Sequence, residues 1–223
     1  MSIPTSETRR KPGRPKDGED MRDAILDQAE IAFAEAGFAG TKLRDIAGAA
    51  GVNQALIRYY FGTKEDLFDE VFRRRGGLIS GARHVQLDQL LARGKPLQAT
   101  EIIMAYLRPQ WDMKHSGPNG AAFVKLQARL HAEPEEHALR LRREVYDASV
   151  KRYIQALSEA LPDVPRPILS LRMAFLVGTY LFMLNDLGRL NDLTDGQIGE
   201  IDRESMLRAL VAFLAAGLAA PVS

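Results

Sequence analysis

The sequence predicts an all-α protein, with a small unit of short helices followed by a larger domain of longer ones. Apolar residues recur every three or four positions through nearly the whole chain, and no stretch alternates as a β-strand does. Glycines and helix-capping residues divide the first 65 residues into short segments, and the later segments are longer. These observations favour a bundle of helices over any fold that contains a sheet.

The composition is that of a globular protein able to bury a substantial core. The chain has 223 residues, of which 46% are hydrophobic and 26% are charged. It has no cysteine, which excludes disulfides, thiolate metal sites and thiol catalysis. The N-terminus is polar and basic and carries no signal-peptide pattern, which predicts a cytoplasmic protein. The longest apolar stretch, 168–184, is interrupted by Ser170 and Arg172 and is too short to span a bilayer, so we expect a buried helix and no membrane contact.

The charge is unevenly distributed although the whole chain carries only +1. Residues 1–16 have a net charge of +4, residues 17–37 have −6, and residues 38–64 have +3. Two positive blocks around an acidic helix predict a local surface patch that binds an anion.

Four segments make up the predicted N-terminal unit and its connection to the rest: about 19–36, 41–50, 53–60 and 63–82. Thr41, Asn53 and Thr63 are the predicted N-caps, and Gly37 and Gly51 are the predicted stops. The fourth segment reaches into both domains, and its Gly76–Gly77 pair is predicted to be a hinge or a kink.

Longer helices are predicted after this unit, at about 96–115, 121–131, 134–161, 168–190 and 203–218. We therefore divide the chain into a disordered basic tail (1–18), a helix-turn-helix DNA-binding domain (19–65) and an effector-binding and dimerisation domain (66–223).

The second and third segments have the pattern of a helix-turn-helix, because a tight turn with Gly51 joins two short helices. Ile57 and Phe61, four positions apart, are expected to pack the second helix onto the unit. Its other face then carries Gln54, which can pair with adenine, and Arg58, which can pair with guanine. Lys64 opens the next helix, where its ammonium group and the free backbone N–H groups suit a phosphate.

Residues 21–70 resemble the DNA-binding domain of the TetR/AcrR family of bacterial transcriptional regulators, through the run ILDQAEIAFAEAGFAGTKLRDIAGAAGVNQALIRYYFGTKEDLF. The resemblance implies phosphate contacts by Thr41 and Lys42, base contacts by Gln54, Ala55 and Arg58, and backbone contacts by Tyr59, Tyr60 and Lys64. Two positions depart from the family pattern, which commonly has Tyr in place of Arg58 and His in place of Tyr60. The first departure puts the base preference in doubt, and the second a phosphate contact.

The tail RRKPGRPKDG, residues 9–18, resembles an AT-hook, an extended segment that lies in narrow A·T minor grooves. Arg14 would be the inserted side chain. The alternative is a disordered basic tail that adds only non-specific affinity for DNA, and this is the interpretation that we favour.

By the same resemblance, the chain from Gly76 onwards binds a small-molecule effector and forms a homodimer. Parts of it weakly resemble the PsrA-type branch, some members of which sense fatty-acyl ligands. The predicted pocket residues are polar or adaptable side chains among apolar helices: Trp111, His115, Phe123, Gln127, Arg129, Tyr146, Tyr180 and Asn185. An apolar or amphipathic effector is expected, and Arg129 or His115 would bind it if it were a carboxylate.

The last two helices are the predicted dimer interface, as a four-helix bundle across a two-fold axis that matches a palindromic operator. The residues predicted to form it are Phe175, Gly178, Thr179, Phe182, Leu210, Phe213 and Leu214.

Other functions have less support in the sequence. The four histidines are scattered, and the chain has no Gly-rich phosphate loop and no G-x-S-x-G motif, so we expect no enzyme, no metal and no cofactor. The sequence leaves two alternatives to a ligand-released repressor, namely a ligand-independent DNA-organising protein and a TetR-like activator.

Overall fold

The computed structural model describes residues 18–132, 136–185 and 187–222. Within these ranges the protein is helical and has no strand, which confirms the all-α prediction. The α-helices are α1 (Gly18–Gly40), α2 (Leu43–Ala50), α3 (Gln54–Phe61), α4 (Lys64–Leu91), α5 (Ala99–Lys114), α6 (Pro118–Ala132), α7 (Glu136–Ala160), α8 (Arg166–Asn185), α9 (Leu187–Leu193) and α10 (Arg203–Ala219). A short 3₁₀ helix, Gln197–Glu200, precedes α10. The predicted tail, with Arg14, lies outside the described residues except for Gly18.

The N-terminal unit is built around α1, which packs on α2, α4 and α6. Its core contains Phe33, Ile46 and Ile57, and the same cluster continues to Phe123 on α6 and Tyr146 on α7. The small unit therefore shares apolar contacts with the helices beyond it. Residue 65 as the boundary between the two domains stays a prediction.

A second core lies in the larger domain, between the C-terminal half of α4 and helices α5, α7, α8 and α10. Leu107, Trp111, Tyr153 and Leu207 are among its most deeply buried members. One of its helices, α8, is long and apolar enough to cross a membrane by length and composition, but a third of that stretch is buried in the protein. The core helix predicted over 168–184 matches this element.

Local signals explain where the first helices begin and end. The chain leaves helical geometry at Gly37, whose φ of 70° lies in the region that favours glycine. Asn53 caps α3, because its Oδ1 accepts from the N–H of Leu56 at 2.8 Å. Thr63 caps α4 in a reciprocal pair with Asp66.

Two predictions on these elements are wrong. Thr41 is not the cap of α2, because Lys42 occupies that position and makes no side-chain cap bond. The helix predicted to end near residue 82 continues to Leu91, and it runs through Gly76 and Gly77 without a kink. Gly76 instead allows close packing, since a Cβ there would lie 2.5 Å from Val145 Cγ1 of α7.

Candidate nucleic-acid interface and effector cavity

Helices α2 and α3 form a compact helix-turn-helix. The turn passes through Gly51, which has φ 68° and ψ 30°, a left-handed conformation that closes α2. The N–H of Val52 then donates to the carbonyl of Ala47 at 3.0 Å, and Asn53 starts α3 two residues after the glycine. This predicted motif is present in the structure.

One face of α3 holds it on the protein. Ile57 is fully buried and Phe61 nearly so, in the same cluster as Ile46 of α2 and Phe33 of α1. Arg22 of α1 lies over the Phe61 ring at 5.3 Å. The apolar packing predicted for Ile57 and Phe61 is confirmed, and it fixes which face of α3 points outwards.

The outer face of α3 carries side chains that the protein does not use internally. Ala55 and Arg58 are exposed, and Arg58 makes no ion pair with the described residues. Tyr59 is 80% exposed and packs edge-on against Tyr60, with ring centroids 5.4 Å apart. Gln54 is the half-buried first residue of the helix. This face is therefore free to enter a groove, and the N-terminal residues of a recognition helix are the ones that contact base edges.

Thr41 does not lie where a phosphate contact needs it. Its side chain is only 4% exposed, and its hydroxyl lies 2.7 Å from the carbonyl oxygen of Gly37 and 3.1 Å from that of Ala32. The residue thus ties the end of α1 together, and its predicted side-chain contact with DNA is not supported. Lys42, next to it, is exposed at the start of α2 and keeps its predicted place.

Lys64 has an internal role that the sequence did not reveal. Its Nζ donates to the carbonyl oxygens of Phe38 at 2.8 Å and Thr41 at 3.1 Å, and lies 4.4 Å from the centre of the Phe38 ring. Two of its three N–H groups are engaged in this way. Lys64 therefore has one N–H group left for a phosphate, unless its side chain moves away from the end of α1.

A cavity of about 290 Å³, partly open to solvent, lies in the larger domain between helices α4, α5, α6, α7 and α8. Its lining consists of Arg83, Tyr106, Gln110, Gln127, Leu139, Arg142, Arg143, Tyr146, Asp147, Val150, Val177, Tyr180 and Leu181. The volume is near the lower end of the range for small-molecule sites. Seven of these residues are apolar or aromatic, and the six polar ones include three arginines.

Three of the eight predicted pocket residues, Gln127, Tyr146 and Tyr180, line this cavity. Trp111 and Phe123 are buried in the two cores instead. The remaining three lie elsewhere: His115 ends α5, whereas Arg129 and Asn185 line a second, larger pocket of about 770 Å³ between α1, α6 and the end of α8. The structure therefore does not place Arg129 or His115, the predicted carboxylate-binding residues, at the first cavity.

Arg83 is the principal residue that sequence reasoning missed. It is 2% exposed and lies on the buried side of α4, in register with Ile79 and Leu87. A charged residue on an apolar helical stripe was the available signal, because arginine is rarely buried without a specific partner. Tyr106 and Gln110 of α5 were missed as well, and both contact Arg83.

Two cavity tyrosines, Tyr146 and Tyr180, and the core residue Tyr153 have neutral hydroxyl groups. Burial raises the pKa of Tyr146, Tyr153 and Tyr180 well above the usual tyrosine range, although the charge of Arg83 opposes this rise. The Tyr180 hydroxyl donates to the carbonyl of Leu107 at 2.7 Å, and the Tyr153 hydroxyl to that of Arg83 at 2.8 Å. These bonds fasten α8 to α5 and α7 to α4.

The helices predicted to form the dimer interface expose a row of large apolar side chains. Phe175 is 61% exposed, Phe182 52% and Phe213 69%. Gly178 is exposed with open space above it, and Thr179 is half-buried. Leu210 and Leu214 belong to the core of the same protomer, so their prediction as dimer contacts is not supported. Phe213 lies beside Leu210 and Leu214 on the surface of α10, so periodicity alone could not say which of the three the protomer buries.

Comparison with known proteins matches both parts of the chain. Residues 25–71 match the bacterial regulatory proteins of the tetR family, and residues 104–217 match the tetracyclin repressor-like C-terminal domain. The second match alone covers slightly more than half of the sequence. The chain belongs to the tetR family. As a member of that family it is a DNA-binding transcriptional regulator, and its helix-turn-helix is the part that the first match covers.

Three tetR-like relatives are named transcriptional repressors. NicS of Pseudomonas putida is 28% identical over 163 residues, which are 73% of this chain and 68% of NicS. KstR2 of Rhodococcus jostii is 39% identical over 70 residues, 31% of each protein. Rv3405c of Mycobacterium tuberculosis is 32% identical over 127 residues, 54% of this chain and 64% of Rv3405c. The last two alignments span less than two thirds of those relatives.

Solved structures of tetR-like proteins have the same fold over nearly their whole length. The fatty acid degradation regulator FadR from Bacillus halodurans has a TM-score of 0.67 at 17% identity, covering 93% of this chain and 98% of FadR. PfmR from Thermus thermophilus has a TM-score of 0.60 at 18% identity, covering 87% and 98%. At this level of identity the likeness concerns the fold alone.

Proposed function

We propose that this tetR-family regulator is a repressor that binds a palindromic operator as a homodimer and is released by a small effector. The observation that carries the proposal is the face of α3 with Ala55, Arg58 and Tyr59, which is exposed while Ile57 and Phe61 hold the helix from behind. An exposed helix held by a preceding helix is the geometry that enters a major groove. The names of the three repressor relatives support repression over activation.

The proposed contacts divide into base contacts and backbone contacts. Gln54, Ala55 and Arg58 are proposed to contact base edges, where Arg58 can donate two hydrogen bonds to guanine. Backbone contacts are assigned to Lys42, Tyr59, Tyr60 and Lys64, which surround that face at the ends of α2, α3 and α4.

The proposed dimer uses the exposed apolar row on α8 and α10. Phe175, Phe182 and Phe213 on one protomer would meet the same residues of a second copy, because a two-fold axis pairs like surfaces. To enter successive major grooves, the two α3 helices of such a dimer must lie about 34–36 Å apart, which is one turn of DNA.

Helix α4 is the proposed link between effector and DNA. Its first turn lies beside α3, and Arg83, five turns later, lines the cavity. Several ion pairs attach α1 to α4, among them the two in which Glu30 Oε2 accepts from Arg75 at 2.8 Å and from Arg74 at 3.2 Å. A movement of α4 would therefore carry the DNA-binding unit with it. A ligand shifts the equilibrium only as far as it prefers one of the two arrangements.

The cavity favours this ligand-responsive regulator over a DNA-organising protein, which needs no effector site. A regulator of transcription acts on chromosomal DNA, so we assign the protein to the cytoplasm. The cavity wall suits an apolar or amphipathic effector, and no cofactor is part of the proposal.

Fluorescence anisotropy on duplexes tiling the DNA upstream of the protein's own gene tests the proposal. We expect saturable binding of two protomers to one palindromic tile, weaker binding to its shuffled version, and release by an effector. Equal and steeply salt-dependent binding to every tile would contradict sequence-specific control, because it would mean that only phosphates are contacted.

A further inference from the structure

The guanidinium group of Arg83 is a buried charge without a carboxylate partner. The residue is 2% exposed, and no carboxylate of the described residues lies within ion-pairing distance of it. Arginine stays protonated in proteins, and burying an unpaired charge is strongly unfavourable. The position of this charge at a cavity wall thus calls for an explanation.

The neighbours of Arg83 fix its orientation but do not neutralise it. Its Nε donates to the Tyr106 carbonyl at 2.9 Å, and its Nη2 donates to Gln110 Oε1 at 3.2 Å. The guanidinium carbon lies 3.7 Å from the centre of the Tyr106 ring. These contacts hold the guanidinium plane in place and leave Nη1 outside both of the hydrogen bonds. A planar fork held in this way suits a carboxylate.

The rest of the cavity adds positive charge. Arg142 and Arg143 also line it, and Arg143 pairs with Glu136 at 3.2 Å. The single lining carboxylate, Asp147, has its Oδ2 3.6 Å from the Lys151 ammonium. The Nε of Arg142 is buried and has no hydrogen-bond partner among the described residues. An anion entering the cavity would therefore meet an excess of cations.

The remaining wall suits a compact apolar body. Three tyrosine rings line the cavity, together with the aliphatic residues Leu139, Val150, Val177 and Leu181. Burial raises the pKa of Tyr146 and Tyr180, so these side chains stay neutral and do not repel an anion. A volume of about 290 Å³ favours a small ring or a short chain over a long acyl chain.

We propose that the cavity binds a compact carboxylic acid, whose carboxylate pairs with Arg83 and whose apolar body lies against Tyr106, Tyr146 and Tyr180. The claim that this acid is the effector rests on the proposed function above. The claim that it binds the protein rests only on the cavity. Tyr146 also packs against Gly76 of α4. The acid would therefore lie against a residue that joins α7 to the helix leading to the DNA-binding unit.

Isothermal titration of the full chain with matched pairs of ligands tests the proposal. Benzoate and hexanoate keep the carboxylate, whereas benzamide and hexanamide have the same bodies without the charge. We expect each acid to bind at least about tenfold more tightly than its amide, since a charge-assisted fork is lost in the amide. This comparison uses the unaltered protein and does not depend on the folding of any variant.

Variants then assign the effect to one residue. Arg83→Met should weaken acid binding to the level of the amide, and Arg129→Met, which removes an arginine outside the cavity, should leave it unchanged. Acids and amides that bind equally, acid binding that survives in Arg83→Met, or no acid binding at millimolar concentration would overturn the proposal. Tighter binding of palmitate than of hexanoate would contradict the compact body.

Operator binding, measured separately by anisotropy, distinguishes a failure of the proposed ligand from a failure of the proposed repressor function. Acids that fail to bind while the protein still binds its operator would refute the ligand and leave the proposed repressor standing. Acids that bind through Arg83 without releasing the operator would establish the site and refute its role as the effector site.

Discussion

Gly76 of α4 packs directly against Tyr146 of α7, so closely that a Cβ on Gly76 would lie 2.9 Å from the Tyr146 hydroxyl. Tyr146 also lines the cavity between α4 and α8, together with Arg83 of α4. The glycine therefore serves a close approach between two helices, whereas the sequence predicted a hinge or kink there. Its neighbour Gly77 is exposed, and a Cβ there would meet no atom within 4 Å.

Alanine substitutions at the two glycines should have opposite effects on stability. Gly76→Ala should lower the free energy of unfolding by about 1–3 kcal/mol, because the added methyl group overlaps Val145 and Tyr146. Gly77→Ala should raise it by about 0.8–1 kcal/mol, through the better helix propensity of alanine. Urea unfolding measures both, and equal effects at the two positions would contradict the close approach.

The N-cap of α3 gives a second prediction on stability. Asn53→Ala should cost about 0.5–2 kcal/mol of stability, because the N–H of Leu56 loses its acceptor. Asn53→Ser keeps a short oxygen acceptor and should recover most of that loss. Thermal unfolding, together with hydrogen exchange of the α3 amides, gives the comparison. Loss of protection confined to helices other than α3 would contradict this role.

The exposed row on α8 and α10 predicts how the dimer can be broken. Phe213→Asp changes both halves of a two-fold interface, so we expect a loss of about 3 kcal/mol or more and a dimer about 100-fold weaker. Val85→Asp, on α4, is the matched control, because Val85 is also exposed but lies on another helix. Sedimentation equilibrium measures the dimer constant. An unchanged constant for Phe213→Asp would place the interface elsewhere.

The buried carboxylate of Glu30 gives a prediction on pH. Burial raises the pKa of Glu30 above its usual value, and the charges and hydrogen bonds of Arg75 and Arg74 oppose this. Between the unfolded and the folded pKa the folded state binds the proton more tightly, so stability falls as the pH rises through that window.

We therefore expect the stability advantage of the unaltered protein over Glu30→Gln to be larger at about pH 4 than at about pH 7. Urea unfolding at both pH values measures it. An advantage that grows with pH would mean that the ion pairs with Arg74 and Arg75 outweigh the cost of burial.

Local signals made the helix-turn-helix predictable. Gly51, Asn53 and Thr63 each act on residues within a few positions, so the sequence alone showed where α2 ends and where α3 and α4 begin. The internal contacts of Thr41 and Lys64 were not predictable in this way. They depend on where the end of α1 lies after Gly37 leaves helical geometry.

The cavity was the least predictable part because its lining comes from five helices. Arg83, Gln110 and Gln127 lie far apart in the sequence, and only the packing of α4, α5 and α6 brings them into one hydrogen-bonded chain. Arg129 has the same chemistry as Arg83, but it lies where α6 meets the end of α1 and donates to the carbonyl of Glu35. Residue type suggested the chemistry of the site, and tertiary packing decided which residue provides it.

The central claim is that the exposed face of α3 distinguishes one DNA sequence from another. The most direct test is the ratio of affinities for the operator and for a shuffled duplex, measured by anisotropy for the unaltered protein, Arg58→Ala and Lys42→Ala. Arg58→Ala should lose about 1–3 kcal/mol on the operator and much less on the shuffled duplex, so that the ratio falls. Lys42→Ala should weaken binding to both duplexes alike and reduce the salt dependence. Equal losses on both duplexes for Arg58→Ala would contradict base recognition by this face.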